Sequence, residues 1–274
     1  MHEFGASDLP SAPFEPWPAA QLHVEWGSQA AQLAADRGDA VVVVDTLTFS
    51  TTVTMAVSRG AAVLALSRVE VARLGGPAGV AQTYQVVPPA LTQGGTDGHL
   101  TLSPSSVGNV ARGDRVALTS INGADIVRSA RHAAVLLAGC LRNRSAVARW
   151  CAKALTDGAI PRVTVIAAAS RWSSMLTVPE GMRPSIEDWL GAGAIAAAAE
   201  ALGVNLSTEA KAAASTYAIA ERDGLHRWLR GSTTGREMIQ KNFAPDIDEA
   251  ARLDPDDTVP RLDGRGFFVS SDHR

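Results

Sequence analysis

The sequence predicts an α/β protein: a mostly parallel sheet flanked by helices on both faces, with a helical C-terminal extension packed on the same domain. Three observations carry that expectation. The run Val41-Val42-Val43-Val44 lacks any polar alternation, as strands buried on both faces under helices do. Strand-like segments alternate with helix-like ones through short links, the pattern of right-handed parallel crossovers. Several of the strand-like segments also end in small polar clusters, and open α/β sheets bind ligands at such carboxyl ends.

Taken in order, residues 1–18 form a Pro-rich flexible arm, and residues 19–274 are expected to form one domain whose part from 206 to 274 is the extension. Leu22 to Trp26 reads as a strand, and Ser28 to Arg37 as a helix closed by Gly38. After the Val41 strand comes a short helix over Val53 to Arg59, stopped by Gly60, then a buried strand over Ala61 to Leu66. Gly75 to Gly98 is glycine-rich and reads as a covering loop with a strand at Thr83 to Val87. Ser103 and Pro104 suit the N-cap and first position of a short helix.

Strands over Arg115 to Thr119, Ala134 to Ala138 and Val163 to Ala168 then alternate with helices ending near Arg131 and Thr156. A long alanine-dense helix covers Ser185 to Leu202, and Ser207 to Gln240 is helical with breaks at Gly224 and Gly231. From Phe243 onward the chain reads as an acidic loop ending in a strand-like Gly266 to Val269.

Composition narrows the function classes. A net charge of −3 and the lack of a basic stripe argue against nucleic acid, and no apolar run suits a membrane span. Cys140 and Cys151 have neither metal-site spacing nor the look of a disulfide framework, and the first residues lack the regions of a signal peptide. A cytoplasmic location is the default expectation. P-loop, GxSxG and GxGxxG motifs are absent from the sequence.

Chemistry is expected where the valine run meets Asp45, a carboxylate that no apolar core accepts unpartnered. Ser50, Thr51 and Thr52 follow at a helix start, where free N–H groups and the helix dipole favour an anion. The plain alternative is a strand-end Asp capping its own loop. Asn122-Gly123, Asn143-Arg144 and Ser170-Arg171 follow other strands, so a parallel sheet would bring all four clusters to one edge. Glu187 and Asp188 open the long helix; they suit the helix dipole, or they share a metal with Asp45. Oxygen ligands without His or Cys select Mg²⁺. Asp45, Asn122, Asn143 and Glu187 or Asp188 are therefore expected in one pocket, with Arg144 or Arg171 directed into it. Gly191 and Gly193 would let the long helix lie close to the sheet.

The ordered set of motifs resembles the 2-phosphosulfolactate phosphatase family. The matching pieces are Val44-Asp45 with Ser50-Thr51-Thr52, Leu102-Ser103-Pro104, Ser120-Ile121-Asn122-Gly123-Ala124, Asn143 to Ala148, Glu187 to Ala194 and, near the end, Asp246-Ile247 and Val259-Pro260. The resemblance implies Mg²⁺-dependent hydrolysis of a phosphate monoester of a small 2-hydroxy acid, with Asp45, Asn122 and Glu187 as catalytic residues. It further implies a phosphate site of Ser50, Thr51, Thr52, Gly123, Asn143, Arg144 and Arg171, and metal ligands Asp45, Glu187 and Asp188. The expected partner is a small phosphorylated acid, and self-assembly is left open. Thr48 stands where the family commonly has arginine, and Ser170 where it often has glutamate. These departures favour a second reading, a catalytically weak small-anion-binding protein that keeps the fold.

Overall fold

Residues 20–91, 100–172 and 181–271 are described by the structure, a computed structural model. The N-terminal arm, Gly94-Gly95 and part of the expected covering loop lie outside the described residues. Eight strands form the main sheet: Leu22–Trp26 (β1), Ala40–Val44 (β2), Ala62–Leu66 (β3), Arg115–Thr119 (β4), Val135–Ala138 (β5), Val163–Ala167 (β6), Pro260–Leu262 (β9) and Phe267–Ser270 (β10). Ser170–Arg171 (β7) and Met182–Arg183 (β8) pair separately. The order β1-β6-β2-β5-β9-β10-β3-β4 places β2 between two parallel neighbours.

The valine run behaves as its composition dictates. Side chains alternate across a pleated strand, so Val42 and Val44 enter the core on one face while Val41 and Val43 enter the core on the other. All four are fully buried. On the first face lie α6 (Arg144–Thr156), α7 (Ile186–Glu200) and α8 (Thr208–Asp223). On the second lie α1 (Gly27–Asp36), α2 (Phe49–Ser58) and α5 (Asn122–Ser129).

The C-terminal helices α9 (Leu225–Gly231), α10 (Thr233–Gln240) and α11 (Ala244–Ala250) build a separate apolar cluster around Leu190, Tyr217, Leu229 and Ile247. Ser207 and Ser232 cap α8 and α10 by accepting the N–H groups of Ala210 and Gly235. No helix among the described residues is long and apolar enough to cross a membrane.

Four features differ from the sequence reading, each with a local cause. The Thr83 to Val87 segment is not a strand: α3 (Arg68–Arg73) is followed by α4 over Pro77–Tyr84, with Gly76 at its N-cap and Pro77 in its first turn. Only Val87 keeps strand character, as one bridge to Val116. The helix after β2 starts at Phe49 rather than Val53, because the Asp45 carboxylate accepts the Phe49 N–H. The segment after Phe243 forms α11, with Pro245 in its first turn, before the strands β9 and β10. Ser103 precedes the 3₁₀ turn Pro104–Asn109 as expected, but its hydroxyl donates to the Asp246 carboxylate at 2.7 Å instead of capping.

The two helical glycines on α7 face different neighbours. A Cβ at Gly191 would lie 2.8 Å from Val44 Cγ1 and 2.5 Å from Thr46 Oγ1, so Gly191 does let α7 lie on the end of β2. A Cβ at Gly193 would instead lie 2.2 Å from the Ala213 carbonyl oxygen, so this glycine sets the approach of α8. Overpacking such a contact typically costs roughly 1–3 kcal/mol. Gly193→Ala should therefore lower the unfolding free energy by about 2 kcal/mol in urea titration. Gly108→Ala, where nothing lies within 4 Å, should stay within about 0.5 kcal/mol.

Candidate active site

Asp45 ends β2, and its carboxylate joins two helix starts. Oδ1 accepts the Phe49 N–H of α2 at 3.3 Å, and Oδ2 accepts the Gly123 N–H of α5 at 3.1 Å. Both amides are first-turn donors without intrahelical partners. The anion favoured at these helix starts is thus the chain's own carboxylate, as in the loop-capping alternative. Asp45 nevertheless keeps 8% exposure and lines a cleft of about 180 Å³ together with Thr48, Asn122 and Lys241.

Gly191 explains how the other two acids arrive. Glu187 and Asp188 lie four and three residues before it, on the same face of α7. The close approach at Gly191 therefore lays the first turn of α7 against the loop after β2. Asp188 accepts the Thr46 N–H at 2.8 Å and the Ala169 N–H at 2.9 Å, tying the loops after β2 and β6 together. Ala169 takes the left-handed region with φ 64°, which turns its N–H toward this carboxylate.

Electrostatics record the crowding. Burial pushes the Asp45 carboxyl up to about 6, the Phe49 and Gly123 N–H groups oppose that, and Glu187 adds to the rise. Asp188 is raised well above the ordinary carboxylate range by burial and then by Asp45 and Glu187. No arginine or lysine pairs with any of the three among the described residues. Burial is the main reason that the Asp45 and Asp188 shifts run upward, and the like charge of the neighbouring acids adds to it.

Asn122 borders two clefts: the one at Asp45, and a second of about 340 Å³ formed with Gly27, Asp125, Ser170 and Arg171. Asp45, Asn122 and the first turn of α7 thus come together, and Arg171 reaches the second cleft, where it pairs with Asp125. The route differs from a shared parallel edge, however. β10 is antiparallel to both β9 and β3, and β9 is antiparallel to β5, so β3 and β4 run opposite to β2 along the ladder. Asn122 reaches Asp45 because α5 packs back over Phe49: a Cβ at Gly123 would sit 2.3 Å from the Phe49 ring.

Other expected site residues are engaged elsewhere. Ser50 Oγ donates to the Val43 carbonyl and accepts the Asp45 N–H, Thr51 Oγ1 donates to the Thr46 carbonyl, and Thr52 Oγ1 donates to the Leu102 carbonyl. All three are fully buried, so their hydroxyls build the loop and do not line the clefts. Asn143 accepts the Cys140 N–H and donates to the Ala138 and Thr258 carbonyls, which pins the chain before β9. Arg144 faces Asp254, Glu221 and Tyr217, away from Asp45. The Thr48 hydroxyl donates to the Leu102 carbonyl.

Two cations near the cleft were missed. Arg183 donates to Ser170 Oγ at 3.1 Å and lies 3.8 Å from Glu237, while Lys241 at the end of α10 lines the Asp45 cleft itself. Only the four-residue spacing of Glu237 and Lys241 marked one face of that helix in advance.

The same chain matches the 2-phosphosulpholactate phosphatase family model over residues 28–265. A probable 2-phosphosulfolactate phosphatase of Gloeobacter violaceus is 30% identical over 157 residues, which is 57% of this chain and 59% of that protein, less than two thirds of its length. One of the same description from Carboxydothermus hydrogenoformans is 28% identical over 245 residues, covering 85% of this chain and 91% of the relative. With a family match that runs from α1 to the turn between β9 and β10, the chain belongs to the 2-phosphosulpholactate phosphatase family.

Proposed function

We propose that the protein hydrolyses the phosphate monoester of a small 2-hydroxy acid, of the 2-phosphosulfolactate kind, in a Mg²⁺-dependent reaction. Family membership supports the phosphatase class, and the names of the two relatives support the substrate. The observation that carries the reading is the buried trio Asp45, Glu187 and Asp188, without a cation partner among the described residues, of which Asp45 opens onto the cleft.

Magnesium fits part of this trio. No group of three His, Cys, Asp or Glu among the described residues is placed to hold a metal alone. Mg²⁺ commonly takes only one or two carboxylates and completes its shell with water and substrate phosphate. Asp45 and Glu187 would hold it, while Asp188, with each oxygen on a backbone N–H, positions the two loops. A bound Mg²⁺ would offset the charge of the phosphoryl oxygens.

The chain's own residues do the rest. Asn122 offers an amide donor to a phosphoryl oxygen from its place on the cleft wall. Water adds to phosphorus as the bond to the hydroxy-acid oxygen breaks, giving the free alcohol and inorganic phosphate. The attacking water gives up one proton and the departing alkoxide takes one up, so the step balances with no net proton change. The second reading, a small-anion binder with weak catalysis, draws on the Ser50 to Thr52 hydroxyls being spent within the loop.

Phosphate release from 2-phosphosulfolactate should be readily measurable with Mg²⁺, drop to background with a chelator, and fall about 100-fold or more in Asp45→Asn. Undiminished turnover in Asp45→Asn would discard the mechanism, and no release by the wild type would favour the binder.

Stability should carry the same signature. Because Asp45 rises from 3.8 to about 6, the folded state holds its proton more tightly than the unfolded chain. That stabilisation is full below about pH 4 and is lost as pH rises through about 6, on the order of 3 kcal/mol. In chelator, the urea midpoint should decline between pH 4.5 and 7 more steeply in the wild type than in Asp45→Asn. Equal slopes would show that Asp45 titrates normally.

A further inference from the structure

A second compartment of about 260 Å³ adjoins the Asp45 cleft and shares Leu102, Ser120, Ile121 and Lys241 with it. Its other walls include Arg68, from the start of α3, and Thr119, from the end of β4. Three features of this compartment await a ligand. Thr119 is 8% exposed, and its hydroxyl has no hydrogen-bond partner although a buried hydroxyl ordinarily finds one. Lys241 makes no side-chain hydrogen bond or ion pair among the described residues; the acid one turn before it, Glu237, is turned to Arg183. Arg68 has only a long 3.4 Å contact to the Leu91 carbonyl and no carboxylate.

We infer that this compartment is the subsite for the second acidic group of the substrate, with Lys241 and Arg68 binding a sulfonate or carboxylate and Thr119 donating a hydrogen bond to it. The assignment rests on the phosphatase reading of the Asp45 cleft. Two cations and an orphan hydroxyl among the lining residues, with no acid there, suit an anion. Lys241 lies on both compartments, so it bridges the phosphoryl end and the acid end of one small molecule. Simple phosphate monoesters, which lack the second acid, would leave Arg68 and Thr119 idle. Selectivity for phosphorylated acids therefore originates on α3, β4 and the end of α10, apart from the carboxylate trio.

Calorimetric binding of sulfolactate and of inorganic phosphate tests this directly, because the phosphate-free ligand reports the subsite whether or not the wild type hydrolyses the ester. Sulfolactate should bind the wild type, and Arg68→Met and Lys241→Met should each weaken it tenfold or more. Thr119→Val should weaken it two- to fivefold, and Lys241→Arg should retain most of the affinity. Phosphate binding should change less than threefold in Arg68→Met, and Lys153→Met, at an exposed position of α6, should alter neither ligand. Sulfolactate affinity unchanged in both Arg68→Met and Lys241→Met, equal losses for both ligands in Arg68→Met, or no sulfolactate binding by the wild type would overturn the inference.

Discussion

Everything near the candidate site depends on one carboxylate held at the meeting of two helices. Asp45 accepts the first free N–H groups of α2 and α5, so it fixes where both helices begin and how the chain leaves β2. A carboxylate that accepts backbone N–H bonds is stabilised in its charged form, while burial and a neighbouring glutamate act against that charge. The opposition is strong enough that the group ends above its ordinary range. Asp188 repeats the arrangement on the next loop, with the Thr46 and Ala169 amides. The site is thus a pair of anion-holding loops whose anions are built in, set side by side by the close approach of α7 at Gly191.

The parts that hold this arrangement in place come from far along the chain. Ser103 and Ser105 both donate to the Asp246 carboxylate, while Thr52, in the first turn of α2, donates to the Leu102 carbonyl. Arg142, nearly buried, pairs with Asp256 and Glu249. These contacts tie α11 and the segment before β9 to the loops around the cleft. Truncating one member of such a buried pair leaves its partner uncompensated, which costs more than the pair contributes. The C-terminal part is therefore structural support for the site as well as the source of Lys241.

Much of this was legible in the residues. Four valines in a row marked β2, and Asp45 after them marked the loop, because those choices follow from burial and desolvation alone. Glu187 and Asp188 were legible as acids at a helix start, and Gly191 as a close-contact position. The partners of the Ser50, Thr51 and Thr52 hydroxyls were not legible because hydroxyl-rich loops serve their own backbone as readily as a ligand, and only geometry tells which. Asn143 and Arg144 sit after a strand like the others, but Thr258 and Asp254, over a hundred residues on, claim their side chains. The reversal of β3 and β4 was hidden for a related reason. It depends on where β9 and β10 insert, and short strands such as Pro260–Leu262 carry almost no periodic signal.

That insertion has an outcome for the growing chain. β9 and β10 stand between β5 and β3, so residues 260–270 join a four-stranded block, β1-β6-β2-β5, to the two-stranded block β3-β4. Until those residues have left the ribosome, the nascent chain has two partial sheets, each with an unpaired edge where the hairpin will later sit. Open edges of this kind recruit other strands, and long-range pairing of this kind forms slowly. Phe268, fully buried against Phe49, reaches the core beneath the helix that Asp45 starts only with that hairpin. Synthesis order therefore leaves the loop bearing the site's central carboxylate without its full packing until residues 260–270 have emerged.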